Sequence, residues 1–180
     1  KDVSHAVYIV GKTSEITSSK FIDCGSGGDN HVLHIKCQNE FQFTQCTINF
    51  TSANLDSTTA SAGIKLEPGN NYITQCNFTR TYSSTDSGSI TYIPEQNSES
   101  SNILIITDNT FDHCYGTNAR CFRIYCNHSV TFSCNIICNN DGLNNGINGM
   151  ISLYDQPEII IDECEFRNNH ITRTQCGGNG

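Results

Sequence analysis

The segment Phe43-Thr44-Gln45-Cys46-Thr47-Ile48 returns thirty residues later as Ile73-Thr74-Gln75-Cys76-Asn77-Phe78. Three further versions follow: Ile106-Thr107-Asp108-Asn109-Thr110-Phe111, Thr131-Phe132-Ser133-Cys134-Asn135-Ile136 and Ile161-Asp162-Glu163-Cys164-Glu165-Phe166. A looser copy stands earlier, at Phe21-Ile22-Asp23-Cys24. Each is a short strand, then a small polar residue, then an apolar or aromatic one. The anchors are Cys24, Cys46, Cys76, Asn109, Cys134 and Cys164, separated by 22, 30, 33, 25 and 30 residues.

A second apolar strand precedes each anchor from Cys46 onward: Leu33-His34-Ile35, Ile64-Lys65-Leu66, Ile90-Thr91-Tyr92-Ile93, Phe122-Arg123-Ile124 and Ile151-Ser152-Leu153. Apolar and polar residues alternate in each, the period-2 mark of a half-buried strand. Two short strands in an irregular unit of 22 to 33 residues, with no helical periodicity between, is what one coil of a β-solenoid requires. No unit buries its inward side chains alone, so equivalent residues stack about 4.8 Å apart in parallel register. The expectation is all-β: a right-handed, single-stranded parallel β-helix of about six coils, about 30 Å long. It forms a single domain over residues 1–180, with 94–102 an inserted loop and 177–180 a terminal linker. The six anchors are expected to stack inward, where small polar residues fit a tight corner.

Composition agrees with short strands and turns. The apolar fraction is 36 %, and Asn occupies 21 positions; Asn, Ser, Thr and Gly are all poor in helix interiors. A net charge of −8 with 10 Lys and Arg argues against nucleic acid and anionic membrane surfaces as partners.

The motifs Ala62-Gly63-Ile64, Gly88-Ser89-Ile90 and Gly149-Met150-Ile151 resemble degenerate copies of the Gly-Gly-Ala-Ile motif of polymorphic-membrane-protein repeats. Cys164-Glu165-Phe166-Arg167-Asn168-Asn169 resembles the companion Phe-x-x-Asn motif, and Ile136-Ile137-Cys138-Asn139 is a looser match. The resemblance runs over roughly residues 30 to 170. It implies right-handed parallel β-helices on cell surfaces, often serving in adhesion.

Eleven cysteines are heavy usage, expected of a disulfide-stapled chain outside the cell. Cys114 and Cys138 follow their anchors by five and four residues, which predicts a Cys114–Cys138 bridge between coils. Cys121 and Cys126 flank one strand and could pair locally or with neighbours; several anchor cysteines are expected to stay free thiols. Spacing offers no clean zinc set, so neither metal nor cofactor is expected. Sequons at Asn49, Asn77 and Asn127 favour the secretory route and a glycoprotein.

β-Helices also host polysaccharide lyases and hydrolases, which need two carboxylates converging on a cleft. The acids that could serve are Asp108, Asp112, Asp141, Asp155, Asp162 and Glu163, with Arg120 and Arg123 the nearest arginines. No catalytic constellation stands out among them, and His113-Cys114 are neighbours in sequence without further sign of a dyad. The expected function is an extracellular structural or adhesive module, with a carbohydrate-active enzyme the alternative. Its partners are expected to be further copies or adjoining coils stacked end to end into filaments, and host or matrix glycans or proteins. Polar stretches at 56–62, 83–86 and 94–102 are the loops on which a ligand could bind.

Overall fold

The computed structural model describes residues 5–24, 31–51, 62–83, 87–93, 102–116, 121–125, 129–142, 150–154 and 158–171. Among these the chain is all β, without helix, and its strands pair in parallel as a solenoid. Three walls enclose the core. Ala62–Leu66, Ile90–Tyr92, Phe122–Tyr125 and Ile151–Tyr154 build the first; Asn70–Thr74, Ile103–Thr107, Ser129–Ser133 and Glu158–Asp162 build the second. The long strands Val7–Thr17 and His31–Thr44 bend through both. Lys20–Ile22, Thr47–Asn49, Asn77–Thr79, Thr110–Asp112, Ile136–Cys138 and Glu165–Arg167 make the third wall, six strands stacked in chain order. The first and last of these six have a neighbour on one side only, so four rungs are covered on both.

The predicted second strands pair in register: Leu33, Ile64, Ile90, Phe122 and Ile151 form one inward column. Phe43, Ile73, Ile106, Phe132 and Ile161 form another. On the third wall Phe21, Ile48, Phe78, Phe111, Ile137 and Phe166 line up. Phe78 and Phe111 stack at 4.8 Å, while Phe122 meets Phe111 and Phe132 edge-on at 4.6 and 5.0 Å. These rings link all three walls into one apolar spine. Offset and edge-on pairs of this kind add about 0.5–1.5 kcal/mol each beyond area burial.

Each repeated hexapeptide is divided by a corner rather than forming one strand, so the coil has three walls where the alternation implied two. The corner residue takes a left-handed conformation: Ser18, Gln45, Gln75, Asp108, Cys134 and Glu163 have φ between 47° and 56°. A second series, Asp23, Arg80, His113, Asn139 and Asn168, turns the other end of the third wall. Such a conformation costs a non-glycine residue about 1–2 kcal/mol. Ladder hydrogen bonds offset it. The Gln45 N–H donates to Thr74 O at 3.0 Å, Gln75 to Thr107 O at 3.1 Å and Asp108 to Ser133 O at 3.1 Å.

The residue after each bend points inward. At the first corner this column reads Ser19, Cys46, Cys76, Asn109, Asn135 and Cys164, in the register of the preceding strands. Cys134 is therefore not in the stack. It is the exposed bend residue, and Asn135 takes the inward place. Cys24 belongs instead to the second corner, two residues beyond Ile22. Each of the inward side chains Cys46, Cys76, Asn109 and Asn135 does two things. Its donor reaches a carbonyl one rung back: Cys76 Sγ to Phe43 O at 3.3 Å, Asn109 Nδ2 to Ile73 O at 2.9 Å, Asn135 Nδ2 to Ile106 O at 2.7 Å. Its acceptor takes the N–H of the preceding corner, as Asn109 Oδ1 takes that of Cys76 at 2.8 Å. Cys and Asn replace one another along the column because both offer a donor and an acceptor on a short stem.

The expected Cys114–Cys138 bridge is excluded by register. Strand alternation sends Ile137 inward and Cys138 to the outer face, where its partner is Asp112. Cys114 points inward one corner further on, and the side chain above it is Asn140. Cys114 and Cys138 are therefore not joined to each other; Cys126 lies outside the described residues, as do the loop residues 94–101 and the segment 177–180. Glycine is required where the first wall crowds its neighbours. A Cβ on Gly63 would lie 2.4 Å from Ser89 O, and one on Gly88 2.3 Å from Tyr115 O.

Asn109→Ala strands the Cys76 N–H and the Ile73 carbonyl, both buried. It should cost about 2–3 kcal/mol in denaturant unfolding, while Asn109→Cys, which restores the chemistry of position 76, should cost clearly less. Equal losses for the two would contradict the paired donor–acceptor role.

Candidate functional site

Outward residues of the first wall follow from the same alternation. Tyr8, His34 and Lys65 occupy one column, and Val10 pairs with Lys36 in the next. Glu67 follows Lys65 by two and ties its own N–H to Ile35 O at 2.9 Å, which sets it beside Lys36. The His34 Nε2–H donates to Glu67 Oε1 at 2.7 Å, and Lys36 Nζ donates to Glu67 Oε2 at 2.8 Å. Lys65 Nζ stands 3.9 Å from the same carboxylate. On its far side His34 Nδ1 meets His5 Nε2 at 3.2 Å, and His5 Nδ1 lies 3.1 Å from His31 O. The Tyr8 ring, 56 % exposed, tilts against His34 at 5.0 Å.

This file of side chains borders a groove of about 350 Å³ lined by Val10, Gly11, Lys12, Lys36, Cys37, Gln38, Glu67 and Pro68. A register slip creates it. Gly11 pairs with Cys37 but Thr13 pairs with Glu40, so the two strands bulge apart at the bend between walls. In the next rung Gly69, at φ 130°, lets the chain pass where a Cβ would lie 2.1 Å from Cys37 O. Three of the chain's ten cationic side chains, Lys12, Lys36 and Lys65, gather here, although the net charge is −8.

Burial pushes the Glu67 carboxyl up, but the hydrogen bonds from Lys36 and His34 outweigh it and hold the acid below its usual range. Burial also lowers His34, reinforced by Lys65 and His5 and opposed by Glu67. At neutral pH the site is thus an ionised carboxylate clasped by lysines and a neutral imidazole. Further along the same wall, Tyr125 and Tyr154 stack at 4.4 Å with Arg123 5.0 Å from the Tyr125 ring centre.

Asp108 and Glu163 do share one outer column, as the first-corner register requires, with Cys134 between them. Two strand spacings put them about 10 Å apart. Cys134 Sγ approaches Glu163 Oε2 at 3.4 Å, and Glu163, Asp108 and Asp162 raise its pKa, the opposite of what a nucleophilic thiol needs. Asp112 accepts from Asn139 Nδ2 at 2.8 Å and pairs with His113 at 2.9 Å. His113 and Cys114 part company: the His sits at an outer bend and the Cys points inward. Asp155, Arg120 and the side chain of Asp141 lie outside the described residues, as does nearly all of the loops at 56–62, 83–86 and 94–102.

The sequons Asn49 and Asn77 both lie on the outer side of the third wall; Asn77 is exposed and Asn49 half-buried. Asn127 is outside the described residues. None of the sequence motifs singled out His34, Lys36 or Glu67. Their signal was the aligned pair Leu33-His34-Ile35 and Ile64-Lys65-Leu66, extended by one or two residues toward the bend. Comparison with protein-family models, with curated proteins and with solved structures finds no match to this chain.

His34 and Glu67 both have folded pKa values below their ordinary ones, so between those values the unfolded chain binds more protons and stability rises with pH. Their contribution is full above the ordinary imidazole value of about 6.5 and declines on acidification, with Glu67, Asp23 and Asp112 extending the loss below about 4.3. Thermal unfolding at stepped pH should show both phases. His34→Gln should remove the upper one and leave the lower; an unchanged upper phase would assign it elsewhere.

Proposed function

We propose that this chain is an extracellular structural and adhesive β-helix module that holds an anionic saccharide in the Lys12–Lys36 groove. The observation that carries the proposal is the gathering of lysines on a rigid, bulged groove in an otherwise acidic chain. A ligand bearing carboxylate or sulfate groups meets favourable charge there and unfavourable charge over most of the remaining surface. Tyr8 beside the groove offers an aromatic face to a sugar ring. The number of cysteines argues less for the secretory route than it did, because Cys46 and Cys76 serve as small inward residues. The sequons, two of them on the outer third wall, support it instead.

Titration calorimetry with oligogalacturonate and a heparin-derived hexasaccharide, against a neutral dextran of equal length, tests this. The acidic sugars should bind and weaken with added salt. Replacing Lys12 and Lys36 by Ala should cost tenfold or more, about 1.4 kcal/mol. Binding indifferent to charge, or none, would overturn the proposal. The enzyme alternative rests on the same place, since neutral His34 hydrogen-bonded to Glu67 is an oriented acid–base pair. New reducing ends or unsaturated uronide products during the titration would favour it.

The structural half of the proposal rests on the last described rung. Ile159, Ile161 and Phe166 are 42, 50 and 46 % exposed, whereas Val130, Phe132 and Ile137 beneath them are fully buried. The rung repeats the inward pattern of the covered ones, so its fitting occupant is a further coil in parallel register, supplied by a second copy. Sedimentation should show association that grows with concentration and disappears in an Ile161→Glu, Phe166→Glu double variant. A monodisperse wild-type monomer at high concentration would end the stacking proposal.

A further inference from the structure

The second-corner column runs Thr81, Cys114, Asn140 and Asn169. Cys114 Sγ points to Phe78 O at 3.5 Å, Asn140 Nδ2 to Phe111 O at 3.2 Å and Asn169 Nδ2 to Ile137 O at 2.8 Å. Facing it inside the coil is the residue that opens each first-wall strand: Ser89 before Ile90, Cys121 before Phe122, Met150 before Ile151. In one rung the two columns present Thr81 and Ser89, whose hydroxyl oxygens lie 3.4 Å apart. In the next rung the equivalent residues are Cys114 and Cys121. Both are fully buried, and their thiols are in side-chain hydrogen-bonding contact.

We infer that Cys114 and Cys121 are joined by a disulfide that closes the coil from inside. Backbone hydrogen bonds already hold both positions. Cys114 N–H donates to Asn140 Oδ1 at 2.5 Å and Tyr115 N–H to Thr81 O at 2.8 Å. Cys121 N–H donates to Met150 O at 3.2 Å, and its carbonyl accepts from Ser89 at 3.1 Å and Ile90 at 2.9 Å.

A small-molecule disulfide such as oxidised glutathione supplies the oxidation. One cysteine thiolate attacks it, releasing one glutathione thiolate; the second cysteine then displaces the other glutathione from the mixed disulfide. Two thiol protons leave, two electrons pass to glutathione, and one S–S bond forms. Both sulfurs are sealed in the finished coil, so the exchange takes place before the rung above is laid down. This inference is independent of the saccharide proposal.

Refolding the reduced chain in a glutathione redox buffer, alkylating it in denaturant without reductant and digesting it with trypsin gives a direct test. Cleavage after Arg80, Arg120 and Arg123 separates peptide 81–120, whose one cysteine is Cys114, from peptide 121–123, whose one cysteine is Cys121. The two peptides should run as one species, two hydrogens lighter than their sum, and separate on reduction. The oxidised chain should melt about 5–10 °C above the reduced one, and Cys121→Ser should abolish that difference. Alkylated Cys114 and Cys121 in the unreduced digest, or Cys114 joined to another cysteine, would overturn the inference.

Discussion

The corner is the constraint on which everything else depends. A parallel coil must bend sharply several times per turn, and each bend leaves a backbone N–H and a carbonyl facing an interior without water, where unpaired groups are costly. The chain meets this with two adjacent residues. One bends outward at positive φ and keeps its N–H in the ladder, as Gln45 and Gln75 do. The next points a short donor–acceptor side chain inward, as Cys76 and Asn109 do. With the corners satisfied, the phenylalanine spine stacks without interruption from Phe21 to Phe132.

That geometry changes the meaning of the cysteines. Their abundance looked like a disulfide framework, yet Cys46, Cys76 and Cys114 answer a local hydrogen-bonding need that Asn109 and Asn140 meet equally well in later rungs. Burial raises the Cys76 thiol to about 12, so it stays protonated as a donor and is inert. At Cys114 and Cys121 two inward columns meet, and there the sulfurs face one another across the coil.

The outer surface follows a different logic. Along the first corner the bend residues Ser18, Gln45, Gln75, Asp108 and Glu163 are polar or acidic and interchangeable, because they meet solvent. The first wall instead assembles His34, Lys36, Lys65 and Glu67 around one carboxylate, next to the bulge that opens the groove. We propose saccharide adhesion there because rigidity and charge coincide at that point and scarcely elsewhere on the described surface.

The fold class was legible in the sequence, since the hexapeptide recurs and its flanking strands alternate: Leu33, Ile64, Ile90, Phe122 and Ile151 could be aligned by eye and do stack. Inwardness of Cys46, Cys76, Asn109 and Cys164 was legible for the same reason. The bend was not. Gln45, Arg80 and Cys134 carry no glycine-like mark of positive φ, so a shift of one residue, from Asn135 to Cys134, passed unnoticed, and a two-walled coil was expected in place of three walls. The cysteine partners and the His34–Glu67 site depended on tertiary structure altogether. His34 and Glu67 lie in different coils and Cys114 and Cys121 on different inward columns, and which of them meet is decided by wall alternation and by the register slip at Gly11, quantities set by how whole rungs stack rather than by any local run of residues.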